Sequence, residues 1–285
     1  RRFRDKLAMR ASAQRAGIPV PTFTGLFHDG AIHRFLDQVP PPWVLKPRML
    51  AGSEGIRLFH DKETLWRFLK ELGDQRAFHL IERFVPGDVF HVDALTWAGQ
   101  VVFGLPSRYD TPPMAALQGQ KIFITRTLPH EDALTQDLLR LNQEVLRALG
   151  YEQGASHTEF IRGQDGKIYF LETAARVGGG NIERLVEGAS GVAPWREVAR
   201  IELCALRGEP YAPPPAKREF GGLLACPNRT RKTDLSAYDD PEIVFHAAYG
   251  EFAYFVVSAP RRERVDELLA SYASRVGPDF MTKPA

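Results

Sequence analysis

Only two cysteines, Cys204 and Cys226, occur in the 285 residues, and neither belongs to a close cysteine or histidine ligand cluster. Neither sign of charge dominates: 37 Lys and Arg against 35 Asp and Glu give a formal charge of +2, so no global field draws the chain to nucleic acid or to a membrane surface. No run of 18 apolar residues and no secretory apolar segment appears, which predicts a soluble protein of the reducing cytoplasm. Repeats and low-complexity tracts are missing. So are a Walker loop ending in Gly-Lys-Ser or Gly-Lys-Thr and a zinc-protease His-Glu pair with a second histidine. Gly188 to Val192 misses the hydrolase elbow because residue 192 is not glycine. Asn228-Arg229-Thr230 fits a glycosylation acceptor, a pattern short enough to arise by chance. What remains is an ordinary globular composition, 44% hydrophobic and 25% charged, long enough for a core divided between lobes and suited to small-molecule partners.

Hydrophobic periodicity supplies the elements. Asp5 to Ala16 reads as a helix closed by Gly17, followed by an extended Ile18-Pro19-Val20-Pro21. After Pro40-Pro41-Pro42, the run Trp43-Val44-Leu45 suits a strand and opens a new subdomain. Gly52 to Gly55 reads as a loop, Lys62 to Leu72 as a helix, Phe78 to Glu82 as a strand, and Val89 to Thr96 with Val101 to Leu105 as a hairpin about Ala98-Gly99. Leu134, Leu138, Leu141, Val145 and Leu149 mark a helix with one buried face. Strands are predicted at Ser156 to Ile161 and Ile168 to Thr173 about the turn Gln164-Asp165-Gly166, then a helix from Pro194 to Ala205. Strands at Gly222 to Cys226, Ile243 to Ala247 and Phe252 to Ser258 and a helix from Arg261 to Tyr272 complete the chain.

The chemistry gathers on the hairpin of His157-Thr158-Glu159-Phe160 and Phe170-Leu171-Glu172. Alternation puts His157 and Glu159 on one face while Phe160 and Phe170 turn to the core, so two carboxylates face a common space. Such a pair repels unless a cation or a shared proton intervenes, and magnesium prefers carboxylate and phosphate oxygens. A lone acidic pair is more often a solvated face, but Arg176 and Gly178-Gly179-Gly180 follow it: a bidentate cation and amides able to approach an anion. Upstream, Lys46 ends an apolar strand and Gly52, Ser53 and Gly55 have the composition of a phosphate-covering loop, although each singly reads as a surface cation or turn residue.

Asp5-Lys6, Gly17 to Pro21, Val44-Leu45-Lys46-Pro47, Gly52-Ser53-Glu54-Gly55-Ile56, Glu82-Arg83-Phe84-Val85-Pro86-Gly87, and Glu159 with Leu171-Glu172 stand in an order that resembles the ATP-grasp superfamily over residues 5 to about 180. The resemblance implies an α+β fold of two lobes whose antiparallel sheets clasp ATP: a linking helix and entry segment at 1–37, a lid at 38–105 and a catalytic lobe at 106–285. It implies that Lys46, and Lys6 second to it, contact phosphate and that Gly52, Ser53 and Gly55 fold over it. Glu82, Arg83, Phe84 and Val85 would form the hinge at adenine, with Glu82 or Asp88 near the base or ribose. Glu159 and Glu172 would bind magnesium, for which manganese can substitute. Arg176, catalytic together with Lys46, would face the transferred phosphate and the acyl intermediate.

On the substrate side stand Arg176, Gly179, His157 and Arg108, the last opening a proline-rich segment to Lys121 that either covers the substrate or merely connects strands. A buried histidine satisfied by hydrogen bonds is the alternative for His157. Two departures from the family are expected to matter. Ala174 stands where many members have asparagine, leaving a second magnesium short of one protein oxygen. The chain also begins almost at the central helix, without the αβ domain that usually precedes it, which leaves as expectations a fragment, a homodimer, or a chain that assembles with a partner supplying that domain.

Leu171 to Arg176 with His157-Thr158-Glu159 is similar to the dipeptide-forming L-amino-acid ligases, which implies an ADP-forming carboxylate-amine ligase acting on an amino acid. The alternatives are a biotin carboxylase-like enzyme, against which stands Gly180 in place of an acid four positions after the arginine, and a non-catalytic nucleotide-binding protein of the same fold.

Overall fold

Asp5 starts the first helix, α1 (Lys6–Arg15), by accepting the backbone N–H groups of Leu7 and Ala8, and its carboxylate also pairs with Arg48. That pairing, with the Lys6 amide donating to the Arg48 carbonyl at 2.9 Å, fastens the helix to the end of a strand. The buried side of α1 is Lys6, Met9, Arg10 and Ala13, so two cations point inward. The computed structural model describes residues 2–110, 122–229 and 233–281.

The smaller sheet has the antiparallel order β1-β4-β2-β3, from β1 (Phe23–Gly25), β2 (Trp43–Pro47), β3 (Arg57–Phe59) and β4 (His79–Arg83). Helices α2 (Asp29–Gln38) and α3 (Lys62–Leu72) cover it through Ile32, Phe35, Leu65 and Leu69 packed on Trp43 and Leu45.

The larger sheet comprises β5 (Gly87–Trp97), β6 (Gln100–Tyr109), β7 (Phe123–Thr127), β8 (Gly154–Gly163), β9 (Ile168–Ala174), β10 (Phe220–Pro227), β11 (Ile243–Tyr249) and β12 (Phe252–Ala259). Its eight strands run in the antiparallel order β11-β12-β10-β7-β6-β5-β8-β9. One face packs on α1 and α4 (Ala133–Ala148), with Met9, Leu138 and Val145 against Val92, Phe160 and Phe170, and further along on α7 (Arg262–Val276). The opposite face carries α5 (Ile182–Ser190) and α6 (Pro194–Arg207) over Leu105, Leu223, Leu95 and Ala155, and leaves the β5-β8-β9 end open toward the smaller sheet. Both cysteines are free, and among the described residues no helix is long and apolar enough to cross a membrane.

The hydrogen bonding divides the chain differently from the lid expected at 38–105. The hairpin β5-β6 belongs to the larger sheet, because β5 pairs with β8 from Gly87 opposite Gly163 to Thr96 opposite Gly154. Its unbroken buried run, Val89 to Thr96, is that of a central strand covered on both faces. The entry segment moves the other way, since β1 pairs with β4 and α2 packs beneath it, so the smaller sheet begins near residue 23 and ends at residue 83.

Candidate active site

Strand pairing writes the site as a ladder. On the open face, Val89 stands opposite Ile161, His91 opposite Glu159, Asp93 opposite His157 and Leu95 opposite Ala155, two residues per step as the pleat requires. An aliphatic rung thus leads to a carboxylate, then to a histidine-aspartate pair, then to an aliphatic rung again. From the next strand over, Tyr109 donates its hydroxyl proton to Glu159 Oε1 at 3.1 Å and stands 3.5 Å from His157 Nε2.

Glu172 reaches the same space by an irregularity. Phe170 and Glu172 are two residues apart and would share a face in a regular strand. A bulge lets Glu172 pair with Glu159 while Phe170 pairs with Phe160 in the core, Leu171 being the extra residue. The two carboxylates therefore lie side by side at the mouth of a cavity of about 270 Å³ between the sheets.

The walls of this cavity are largely aliphatic (Val44, Ile56, Val85, Val89, Ile161, Leu171), and its polar side chains are Lys6, Lys46, Ser53, Glu54, Glu82, Arg83, Glu159 and Glu172. Lys6 Nζ lies 3.1 Å from Glu172 Oε2 and donates to the Leu50 carbonyl at 2.5 Å, joining one carboxylate to the loop after β2. Lys46 Nζ lies 2.5 Å from Glu82 Oε1, and the Arg10 guanidinium holds Glu82 Oε2 at 3.0 and 3.1 Å. Burial works against ionisation of Glu82, yet Arg10 and Lys46 outweigh it and hold the carboxyl below its usual range. Burial likewise draws the Lys46 ammonium down, against the attraction of Glu82. At the other end, burial opposes the ionised forms, but His157 and then His91 keep Asp93 well below the ordinary carboxylate value, and His157 with Tyr109 draws Glu159 downward. His157 is pushed up to about 10: burial would lower it, and Asp93 followed by Glu159 overcomes that. Burial and the charge on Glu159 drive the Tyr109 phenol upward.

Of the residues singled out by sequence, Lys6, Lys46, Gly52, Ser53, Glu82, Arg83, Phe84, Val85, Glu159 and Glu172 all line the cavity. Gly55 stands just outside it, left-handed at φ +71°, where a β-carbon would come within 2.8 Å of Pro47 Cγ. His157 is buried one rung behind Glu159. Arg176 and Gly179 are exposed, and Arg176 Nη1 donates to the Val177 carbonyl at 2.7 Å.

Asp88 and Arg108 do not line the cavity. Gly87 and Val89 face it, so the intervening Asp88 is turned to the opposite side of the sheet, where its carboxylate lies 3.7 Å from Arg108. The same alternation presents Tyr109 in place of Arg108. Residues 111–121 of the proline-rich segment lie outside the described residues.

His91, Asp93, Tyr109 and Arg10 were not singled out by sequence. For the first two the signal is the alternation Val89, His91, Asp93, Leu95 within a run otherwise apolar. Gly178 closes over this group, since a β-carbon there would stand 2.6 Å from Asp93 Oδ1 and 2.9 Å from Ile182 Cγ2. Gly178→Ala is therefore expected to lose about 1–3 kcal/mol of stability by overpacking, measured by urea unfolding. An unchanged midpoint would show that the loop yields freely.

Two carboxylates in register, half-open to the cavity and flanked by lysines, are the hard oxygen donors that magnesium with a polyphosphate requires, so these residues fit such a group. A bacterial relative, the L-arginine-specific L-amino acid ligase of Bacillus subtilis, is 27% identical over 208 residues, covering 70% of this chain and 49% of that protein. The L-amino acid ligase structure from Bacillus licheniformis superposes with a TM-score of 0.71 at 18% identity, covering 98% of this chain and 71% of that one. The N5-carboxyaminoimidazole ribonucleotide synthetase from Thermus thermophilus gives a TM-score of 0.73 at 18% identity, covering 100% of this chain and 74% of that one. The chain spans about half the length of the curated relatives it matches. The model of the ATP-grasp domain matches residues 39–184, just over half of the chain, across both sheets and both carboxylates, and the chain belongs to the ATP-grasp family.

Proposed function

We propose that this chain carries the ATP-dependent centre of an ADP-forming carboxylate-amine ligase, with an amino acid as the carboxylate that is activated and a second small molecule as the amine. The observation that carries the reading is the Glu159-Glu172 pair in register at the cavity, with Lys6 on one acid and His157 and Tyr109 beside the other. Magnesium bound there would screen the phosphate oxygens and orient the terminal phosphate. The aliphatic walls and the hinge at Arg83 to Val85 suit a purine. Lys46, taken out of water and already balanced by Glu82, is pre-positioned for phosphate, and so is Lys6. The loop from Ala51 to Gly55, with Gly52, Ser53 and Gly55 left-handed, lies against the cavity where it keeps water from an acyl phosphate. Arg176, exposed beside the glycine run, is available to an anionic substrate group.

Similarity to L-amino acid ligases supports the choice of an amino acid, and Gly180 leaves no acid where a bicarbonate base would be needed. The test is a screen of amino acids in pairs for ATP-dependent phosphate release, with mass spectrometry of the products. An amide with stoichiometric ADP is expected. ADP formation that depends on bicarbonate alone would replace this reading by a carboxylase, and nucleotide binding without turnover in any pair would replace it by a binding protein.

A further inference from the structure

Behind the carboxylate pair lies a buried polar chain whose residues do not line the cavity. Asp93 is 6% exposed and sits at its centre. Its Oδ2 meets His91 Nδ1 at 2.7 Å and its Oδ1 meets His157 Nδ1 at 2.9 Å. His91 Nε2 in turn lies 2.8 Å from Thr125 Oγ1, whose hydroxyl donates to the Arg108 carbonyl at 3.1 Å. The four side chains come from β5, β7 and β8, so the sheet itself fixes their spacing.

An ionised carboxylate only accepts hydrogen bonds, so the atom that His157 turns to Asp93 must be an Nδ1 carrying its proton. The other ring nitrogen, Nε2, is thereby directed at Glu159, the nearest residue of the group that lines the cavity, 3.5 Å from the Tyr109 hydroxyl and 3.8 Å from Glu159 Oε1. His91 occupies the second Asp93 oxygen and prevents the carboxylate from swinging away. Gly178, whose missing side chain leaves room for Asp93 Oδ1, seals the group from above.

We propose that Asp93 is a positioning residue of this centre: it anchors Nδ1–H of His157, with His91 as its brace, and so presents His157 Nε2 to Glu159 and fixes that carboxylate where it faces the phosphate and acyl group. The proposal rests on the phosphoryl-transfer reading given above. It adds to it a buried Asp-His dyad that acts through orientation, as an aspartate does wherever it fixes which face of an imidazole meets the substrate.

The test uses the whole chain with Asp93→Asn, His157→Gln and the double variant, each checked for an unchanged thermal midpoint. Asparagine keeps the volume but offers an amide that can donate to Nδ1 and turn the ring's proton pattern over. On ADP release, Asp93→Asn is expected to lower kcat by about 10²-fold while the KM for ATP stays within about threefold. In the His157→Gln background the same change should cost less than about threefold, because the residue through which it acts is gone. Full additivity of the two losses would make Asp93 a structural residue only and overturn the proposal, as would a loss confined to the KM for ATP. A second readout needs no turnover. In ¹⁵N-histidine spectra the parent chain should show an exchange-protected proton on His157 Nδ1 that Asp93→Asn removes, and its persistence in the variant would equally overturn the proposal. Lack of amide product in the parent chain counts against the ligase reading alone and leaves this spectrum decisive. Because ligand atoms of His91, Asp93 and His157 lie within 4.8 Å of one another, metal content is measured too. A stoichiometric transition metal in the parent chain, lost in Asp93→Asn, would assign the three to a metal centre instead.

Discussion

Glu172→Gln is expected to lower turnover by about 10²-fold or more while leaving the fold intact, on the scale of removing one electrostatic stabiliser of a transition state. The side chain lies at the cavity mouth, 30% exposed, and contributes to no core cluster, so the amide fits the same space. What it loses is charge. Glu159 is left as the single anionic oxygen donor of the pair, and Lys6 faces a neutral amide oxygen where it had a carboxylate at 3.1 Å, beside the Leu50 carbonyl. The check is kcat at saturating magnesium beside the thermal midpoint. Near-normal turnover with an unshifted midpoint would remove Glu172 from the metal-nucleotide site.

Arg10→Met should act on stability first. The guanidinium is fully buried, holds Glu82 through two hydrogen bonds and lies over the Phe170 ring, so its removal leaves a buried carboxylate with Lys46 as its remaining partner. Breaking a buried ion pair from one side costs about 3 kcal/mol or more. The sign of the pH dependence follows from Glu82. Its folded pKa lies below the unfolded carboxylate value of about 4.3, so its contribution is whole above that value and is lost as the pH falls through the folded one. Urea unfolding at neutral pH should therefore show the full gap between Arg10→Met and the parent chain, and the gap should narrow on acidification. A gap that widens in acid would mean that Glu82 is not the group Arg10 stabilises. Activity will fall as well if Lys46 then clings more tightly to Glu82.

How far the sequence reveals this architecture depends on whether one strand or helix determines a feature alone. Helix α3 and the hairpin β8-β9 stand close to where periodicity puts them, because an apolar face repeats within each element. The membership of β5 and β6 is not local: whether a hairpin closes the lid or joins the larger sheet depends on which strand pairs with β5's second edge, and residues 154–163 answer that from far along the chain. Short elements such as β1, β3, β7 and α5 carry too few residues for a period to declare itself.

The site divides in the same way. Glu159 and Glu172 were legible as a pair, but a single-residue bulge at Leu171 decides that Glu172 and Phe170 take different faces. Alternation alone places Asp88 and Arg108 across the sheet from the cavity once the register of β5 is known, and the same register brings up His91, Asp93 and Tyr109. Arg10 is invisible to any rule that keeps charges outside, since its burial is explained only by Glu82 from the smaller sheet meeting it.

The most direct test of the central claim follows one oxygen atom. An amino acid labelled with ¹⁸O in its carboxyl group is turned over with ATP, magnesium and an amine substrate, and the released phosphate is weighed. Attack of the carboxylate on the γ-phosphate, followed by the amine on the carbonyl, leaves one labelled oxygen on phosphorus, so phosphate carrying a single ¹⁸O with ADP and amide is the expected result. Unlabelled phosphate alongside amide product would contradict the acyl-phosphate route, and AMP with pyrophosphate would point to an adenylate in its place.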